Sequence, residues 1–323
     1  MPAKTTIIIT ILTMTTVGSL IGIIVLALQN AALNPWPEGE PEGEPPGHPA
    51  QCSGNDDQYS FIAMPNSNSD NCQEIISSET LKTSDINENL INSVNIYTCP
   101  QSLKRIIISN GVPDHDLRDE TDDGGKVCET KWRIELPLTP EYLGTNQEPP
   151  RSGIIAMALN GVPVFSSSGP EGNNVEPPAG VDPADSYWYG HPSSSGIWHY
   201  HNPLSGYGAF NQTENPEKFN GKPAGNQHIG YALDGFKIYG PVSNDRLSEL
   251  DDCNGMFDGE RGYHYHIRMP DQVDENSEYC QYMGEGYVTW RYVVGCYHGS
   301  LDRTVVGTAE GFEVPEDCVV EEV

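Results

Sequence analysis

The chain has 323 residues and a formal net charge of −29, from 17 Lys and Arg against 46 Asp and Glu. That balance argues against a nucleic-acid partner, because phosphates are repelled, and it suits divalent cations, a cationic partner or plain solubility. Aromatics are 9% of the chain, too many for a disordered acidic tail, and 323 residues give room for a core in one large domain or two smaller ones.

From Thr5 to Leu28 there is no charged residue. Twenty-four residues at helical rise span a bilayer core of roughly 30 Å. Lys4 precedes this segment and Glu38 is the first charge after it, so the bulk of the chain is expected outside the membrane. An apolar run of this length favours an uncleaved signal anchor over residues 1–33; secretion after signal cleavage is the alternative. Asn34 to Pro49, "NPWPEGEPEGEPPGHP", reads as an extended stalk over residues 34–50, because proline stiffens it and like charges repel. Residues 51–98 form a polar, Asn- and Ser-rich segment with Cys52 and Cys72, in which Ser78 to Tyr97 has loosely helical apolar spacing.

The texture changes at Cys99. Runs such as "SLKRIIISNGVPDHD", "KWRIELPL", "GIIAMALNGVPVF", "IGYALDGFKIYGP" and "YVTWRYVVGCYHG" are short, β-branched or aromatic, and punctuated by Gly, Pro, Asn and Asp. They predict a mainly β domain over residues 99–323, a compact sandwich or barrel-like fold with long loops. The 8 cysteines all follow the apolar segment and none forms a C-x-x-C pair, so disulfides are expected rather than a zinc knuckle. Cys253 and Cys296 are the clearest candidates. Asn211 heads the one N-glycosylation sequon.

Two segments within this domain are related. "IAMALNGVPVF" (Ile155 to Phe165) aligns with "IGYALDGFKIY" (Ile229 to Tyr239), and each precedes an aromatic-His-Tyr-His unit, Trp198 to His201 and Tyr263 to His266. His201 to Gly230 and His266 to Gly295 are both 29 residues, which predicts the order strand, HYH, strand, HYH, strand. On a strand, His199 and His201 share one face and His264 and His266 share another such face, while the aromatics turn to the core. Paired imidazoles on one face are suited to zinc or copper. One four-histidine site and two separate sites both fit. His228, His115 and Asp234 are candidate further ligands. The acidic run Leu247 to Gly262, with Asp251, Asp252, Asp258 and Glu260, offers hard oxygens for calcium. There is no G-x-S-x-G, G-x-G-x-x-G or phosphate loop.

These residues resemble the YHYH domain family through "SNGVPDHD", "MALNGVPVF", "WHYHNP", "IGYALDGFKIYGP", "LDDCNG", "YHYH" and "VVGCYHG", from Ser109 to Gly299. The resemblance implies an exported or surface protein and places His264, His266, Asp234 and Cys253 at motif positions. It implies no particular reaction. Met256 stands where similar sequences often carry histidine. The expected protein is therefore a single-pass, extracellular, periplasmic or lumenal, disulfide-stapled β domain binding copper or zinc. The alternatives are a structural or adhesive envelope protein, with cationic or calcium-bridged partners, and a metal-dependent hydrolase or oxidoreductase.

Overall fold

The computed structural model describes residues 61–75, 80–81, 85–115, 117–118, 125–147, 150, 153–166, 190–201, 224–268, 272, 281–282, 287–288 and 293–321. The chain divides into Met1–Gly47 and His48–Val323, and every described residue belongs to the second unit. The expected membrane helix, the stalk, Cys52, Cys280 and the Asn211 sequon lie outside the described residues. Among the described residues, no helix is long and apolar enough to cross a membrane.

The unit is built from strands. In chain order they are β1 (Ser67–Ile75), β2 (Thr80–Leu81), β3 (Val94–Cys99), β4 (Lys104–Ser109), β5 (Leu117–Arg118), β6 (Gly125–Thr130) and β7 (Trp132–Pro137). Then come β8 (Ile154–Ala158), β9 (Pro163–Phe165), β10 (His191–Pro192), β11 (Trp198–His199), β12 (His228–Ala232) and β13 (Lys237–Tyr239). The last are β14 (Gly255–Asp258), β15 (Gly262–His266), β16 (Gln281–Tyr282), β17 (Tyr287–Val288), β18 (Val305–Thr308) and β19 (Val319–Val320). A five-stranded sheet runs β18-β7-β4-β3-β19, and a six-stranded sheet runs β14-β15-β13-β12-β8-β9.

The two sheets share one apolar cluster. The first contributes Ile96, Ile107, Trp132, Ile134 and Leu136; the second contributes β8 and β12 and the buried tyrosines of β15. Strand β7 alternates as a half-buried strand should, with Trp132, Ile134 and Leu136 inward and Arg133 and Glu135 on the other face. Strand β8 is apolar throughout and buried at every position, as a central strand covered on both faces must be. The Arg105 guanidinium of β4 lies 4.1 Å over the Tyr231 ring of β12, and both reach Glu321, at 2.9 Å and 2.8 Å.

Among the described residues, three disulfides join Cys72 to Cys128, Cys99 to Cys318 and Cys253 to Cys296, the last as expected from the sequence. Two expectations are corrected. In the described part of Ser78–Tyr97, Thr80–Leu81 is strand β2 and Glu88–Leu90 a short 3-10 helix, followed by β3, so the five-stranded sheet begins before Cys99. Asparagines bond the backbone on both sides of the short helix: Asn87 caps its start, Oδ1 accepting from the Asn89 N–H at 3.0 Å, and beyond its end Asn92 Nδ2 donates to the Asn160 carbonyl at 2.8 Å. The third strand of the expected repeat is also missing, since Val293–Ser300 holds no strand and only the isolated bridge Gln147↔Tyr297.

Candidate metal centre

The sequence repeat is a structural repeat. Strands β8 and β12 pair antiparallel at the middle of the six-stranded sheet. Each forms a hairpin, with β9 and β13 respectively, and each hairpin carries an HYH segment parallel to its second strand. Ile238 pairs with Tyr265 on one flank, and Val164 bridges Tyr200 on the other. The central tyrosine of each HYH points into the core and reaches the turn of its own hairpin. Tyr265 donates to Asp234 Oδ2 at 2.6 Å, and Asn160 Nδ2 donates to the Tyr200 hydroxyl at 3.0 Å. The Asn or Asp before the turn glycine therefore locks hairpin to HYH strand, which is why the two motifs travel together in the sequence.

With the tyrosines inward, the histidines share the opposite face. On the first flank β11 pairs with β10, setting His191 directly across from His199. His191, His199 and His201 bring one ligand atom each within 4.8 Å of one another. His199 and His201 are buried, at 4% and 8% exposure. Their Nδ1 atoms lie 3.2 Å from the Ile197 carbonyl and 2.6 Å from the Ser166 carbonyl, and His191 Nδ1 lies 3.2 Å from the Pro192 carbonyl. A carbonyl only accepts, so each Nδ1 carries the proton and each Nε2 presents a lone pair. Nε2 of His191 and Nε2 of His201 face one another at 3.2 Å. Burial first, then the neighbouring imidazoles, holds His199 well below its ordinary pKa and takes His201 down to about 3. Both are neutral, ligand-ready imidazoles near neutral pH.

Residues 133–249, about a third of the chain, match the profile of the family described as YHYH protein. The chain carries a YHYH domain. The match is narrower than Ser109–Gly299: it takes in "MALNGVPVF", "WHYHNP" and "IGYALDGFKIYGP" and stops before Tyr263-His264-Tyr265-His266. No curated protein and no solved structure matches the chain.

On the second flank of the sheet, His264 and His266 are each 1% exposed, with ring centroids 4.9 Å apart. Their Nδ1 atoms lie 2.9 Å from the Gly262 carbonyl and 2.7 Å from the Gly240 carbonyl. Burial lowers both pKa values, to about 4 for His266. Strands β13, β12, β8 and β9 separate the two histidine pairs. At the usual strand spacing that is about 24 Å, so no single ion is shared by all four.

The other expected ligands stand apart. His115 Nε2 lies 2.6 Å from the Tyr200 hydroxyl, and its ring stacks on Tyr200, on the core side of the HYH strand. His228 Nε2 lies 3.0 Å from the Gly230 carbonyl, with the ring edge-on to Tyr231. Asp234 is fully buried and accepts from Tyr265, the Gly299 N–H at 3.0 Å and the Phe236 N–H at 3.3 Å. It is a turn anchor, not a metal ligand. Asp251, Cys253 and His298 also come together, but the Cys253 sulfur is in a disulfide and Asp251 accepts from the Cys253 and Gly255 N–H groups and the Tyr263 hydroxyl. Asp258 is likewise occupied by the N–H groups of Glu260 and Arg261, which leaves the expected calcium run without these two carboxylates. His191 was not among the expected ligands. It could have been found from the eight-residue offset to His199, which Met256 repeats before His264.

Proposed function

We propose that the YHYH domain binds one transition-metal ion, zinc or copper, through His191, His199 and His201. The carrying observation is the 3.2 Å separation of two Nε2 atoms whose Nδ1 atoms both face carbonyls. Two lone pairs at that distance repel unless a positive centre lies between them. Two ligands on a tetrahedral ion with bonds of about 2.0–2.1 Å have their nitrogens about 3.3 Å apart, close to this value. The carbonyl bonds are the outer contacts that fix ring tautomer and orientation in metal sites.

The test is metal analysis of the full-length chain, without a histidine tag, after equilibration with zinc or copper(II) and desalting. One retained ion is expected, and loss of it in the His199→Ala, His201→Ala double variant. A chain that retains no ion, or a double variant with undiminished occupancy, overturns the reading. Three protein ligands leave one tetrahedral position for water or substrate, and this favours a metal-dependent hydrolase or oxidoreductase as the second reading.

The setting belongs to the same proposal. The uncharged stretch Thr5–Leu28 supports a membrane anchor, and three disulfides support an oxidising compartment outside the cytosol. The net charge of −29 supports cationic or calcium-bridged partners there and disfavours nucleic acid.

A further inference from the structure

The two flanks of the six-stranded sheet correspond strand for strand, and the correspondence reaches one strand past the HYH segments. Outside β11 lies β10, antiparallel, with His191 opposite His199. Outside β15 lies β14, antiparallel, with Met256 opposite His264. Since His264 holds the place of His199, Met256 holds the place of His191. Directly opposed residues of an antiparallel pair share a face, with Cβ atoms about 5 Å apart. The Met256 side chain is therefore on the imidazole face, and it is buried, at 7% exposure.

That face contains an unmet need. Among the described residues, the buried side-chain nitrogens with no hydrogen-bond partner include Nε2 of both His264 and His266. Each Nδ1 is fixed against a carbonyl, so each Nε2 presents a lone pair that no donor meets in hydrogen-bonding geometry. A buried acceptor left unmet is costly, and here two lie side by side. The nearest carboxylate, Asp258, has Oδ2 3.7 Å from His264 Nε2, but Oδ2 is itself held by Arg261 at 2.5 Å.

We infer that the second flank is a separate metal site, formed by His264, His266 and Met256, and that it takes copper(I). The thioether decides the ion. Sulfur ligands select soft cations, and two imidazoles with a thioether suit copper(I) in a way that three imidazoles do not enforce. Arg246 lies with a guanidinium nitrogen 3.9 Å from the Met256 sulfur, but it is paired with Glu249 at 2.7 Å and Arg261 is paired with Asp258, so local charge is near balance and the sulfur carries the choice of ion. The sheet thus carries one site of three imidazoles and one with sulfur in place of the third.

The test uses the full-length chain with His199→Ala and His201→Ala, so that the result is independent of the first site. Copper(I) is supplied as its acetonitrile complex under argon, without thiols, against a chromophoric chelator. One bound ion is expected, with a copper–sulfur contribution in the X-ray absorption spectrum. Adding Met256→Leu, a volume-matched change in a buried position, should abolish the sulfur contribution and weaken binding by at least about 10–100-fold, the loss known for outer contacts alone. The unaltered chain, loaded in parallel, should show the same sulfur contribution and guards against misfolding of the double variant. No copper(I) uptake by either protein, or a sulfur contribution that survives Met256→Leu, overturns the inference.

Discussion

Asp234 has a carboxyl wholly out of water, and burial pushes its pKa from 3.8 up to about 6 despite the Tyr265 hydroxyl and two N–H donors. Between those values the folded state holds more protons than the unfolded state, so stability falls as pH rises. About two pH units correspond to roughly 3 kcal/mol. The repeat shows how to remove that dependence, because Asn160 occupies the equivalent turn with an uncharged amide. Asp234→Asn should gain up to about 3 kcal/mol relative to the parent between pH 4 and pH 7, measured by urea unfolding at both. A difference that does not change with pH would refute this. At this scale the sequence was readable in part. The histidines of both HYH units face away from the core as period-2 alternation requires, but Asp234 looked like a ligand because its Tyr265 partner is distant in sequence.

Strands β10 and β11 have only two residues each, joined through Ser193–Ile197, and a pair this short does not stand alone. It leans on β6: the Gly196 carbonyl accepts from the Cys128 N–H at 2.8 Å. Gly196 has φ +85°, and a Cβ there would collide with the Cys128 sulfur. Gly196→Ala should therefore cost about 1–3 kcal/mol. It should also weaken metal binding at the first site, because the same hairpin sets His191 against His199; thermal unfolding and a zinc titration check the two effects. Among the elements, β8, β9, β12 and β13 were legible because apolar runs meet Asn-Gly or Asp-Gly turns. The β10–β11 hairpin was not, because two-residue strands around a serine turn leave no periodic signal. His191 was missed with it. The run before β3 misled in the opposite direction, since helical spacing of its apolar residues concealed asparagines that bind the backbone.

Across the molecule, His199, His201, His228, His264 and His266 all have pKa values lowered chiefly by burial. Their unfolded counterparts titrate near 6.5. From there downward the unfolded state binds more protons, so the stability these groups contribute is present above pH 6.5 and lost as pH falls toward about 3–4. Asp234 opposes them, and so does His298, whose pKa is raised, against the pull of burial, by its hydrogen bond to and the charge of Asp251. The metal-free protein should melt at progressively lower temperature from pH 7 to pH 4.5, and zinc should raise the melting temperature at pH 7 and cease to do so in acid. Calorimetry across that range decides it; a flat profile would contradict the neutral burial of these rings. The duplicated sheet was visible in the sequence as two matched segments, whereas the joining of its two halves through β8 and β12 rests on tertiary contacts that no spacing records. The Cys99–Cys318 bond has a different reach. It closes a covalent ring around nearly the whole domain, including residues 167–189 and 202–223. A protease cutting the backbone once anywhere inside that ring releases nothing: the nicked protein migrates as one species until it is reduced, and both flanks of histidines stay on one molecule.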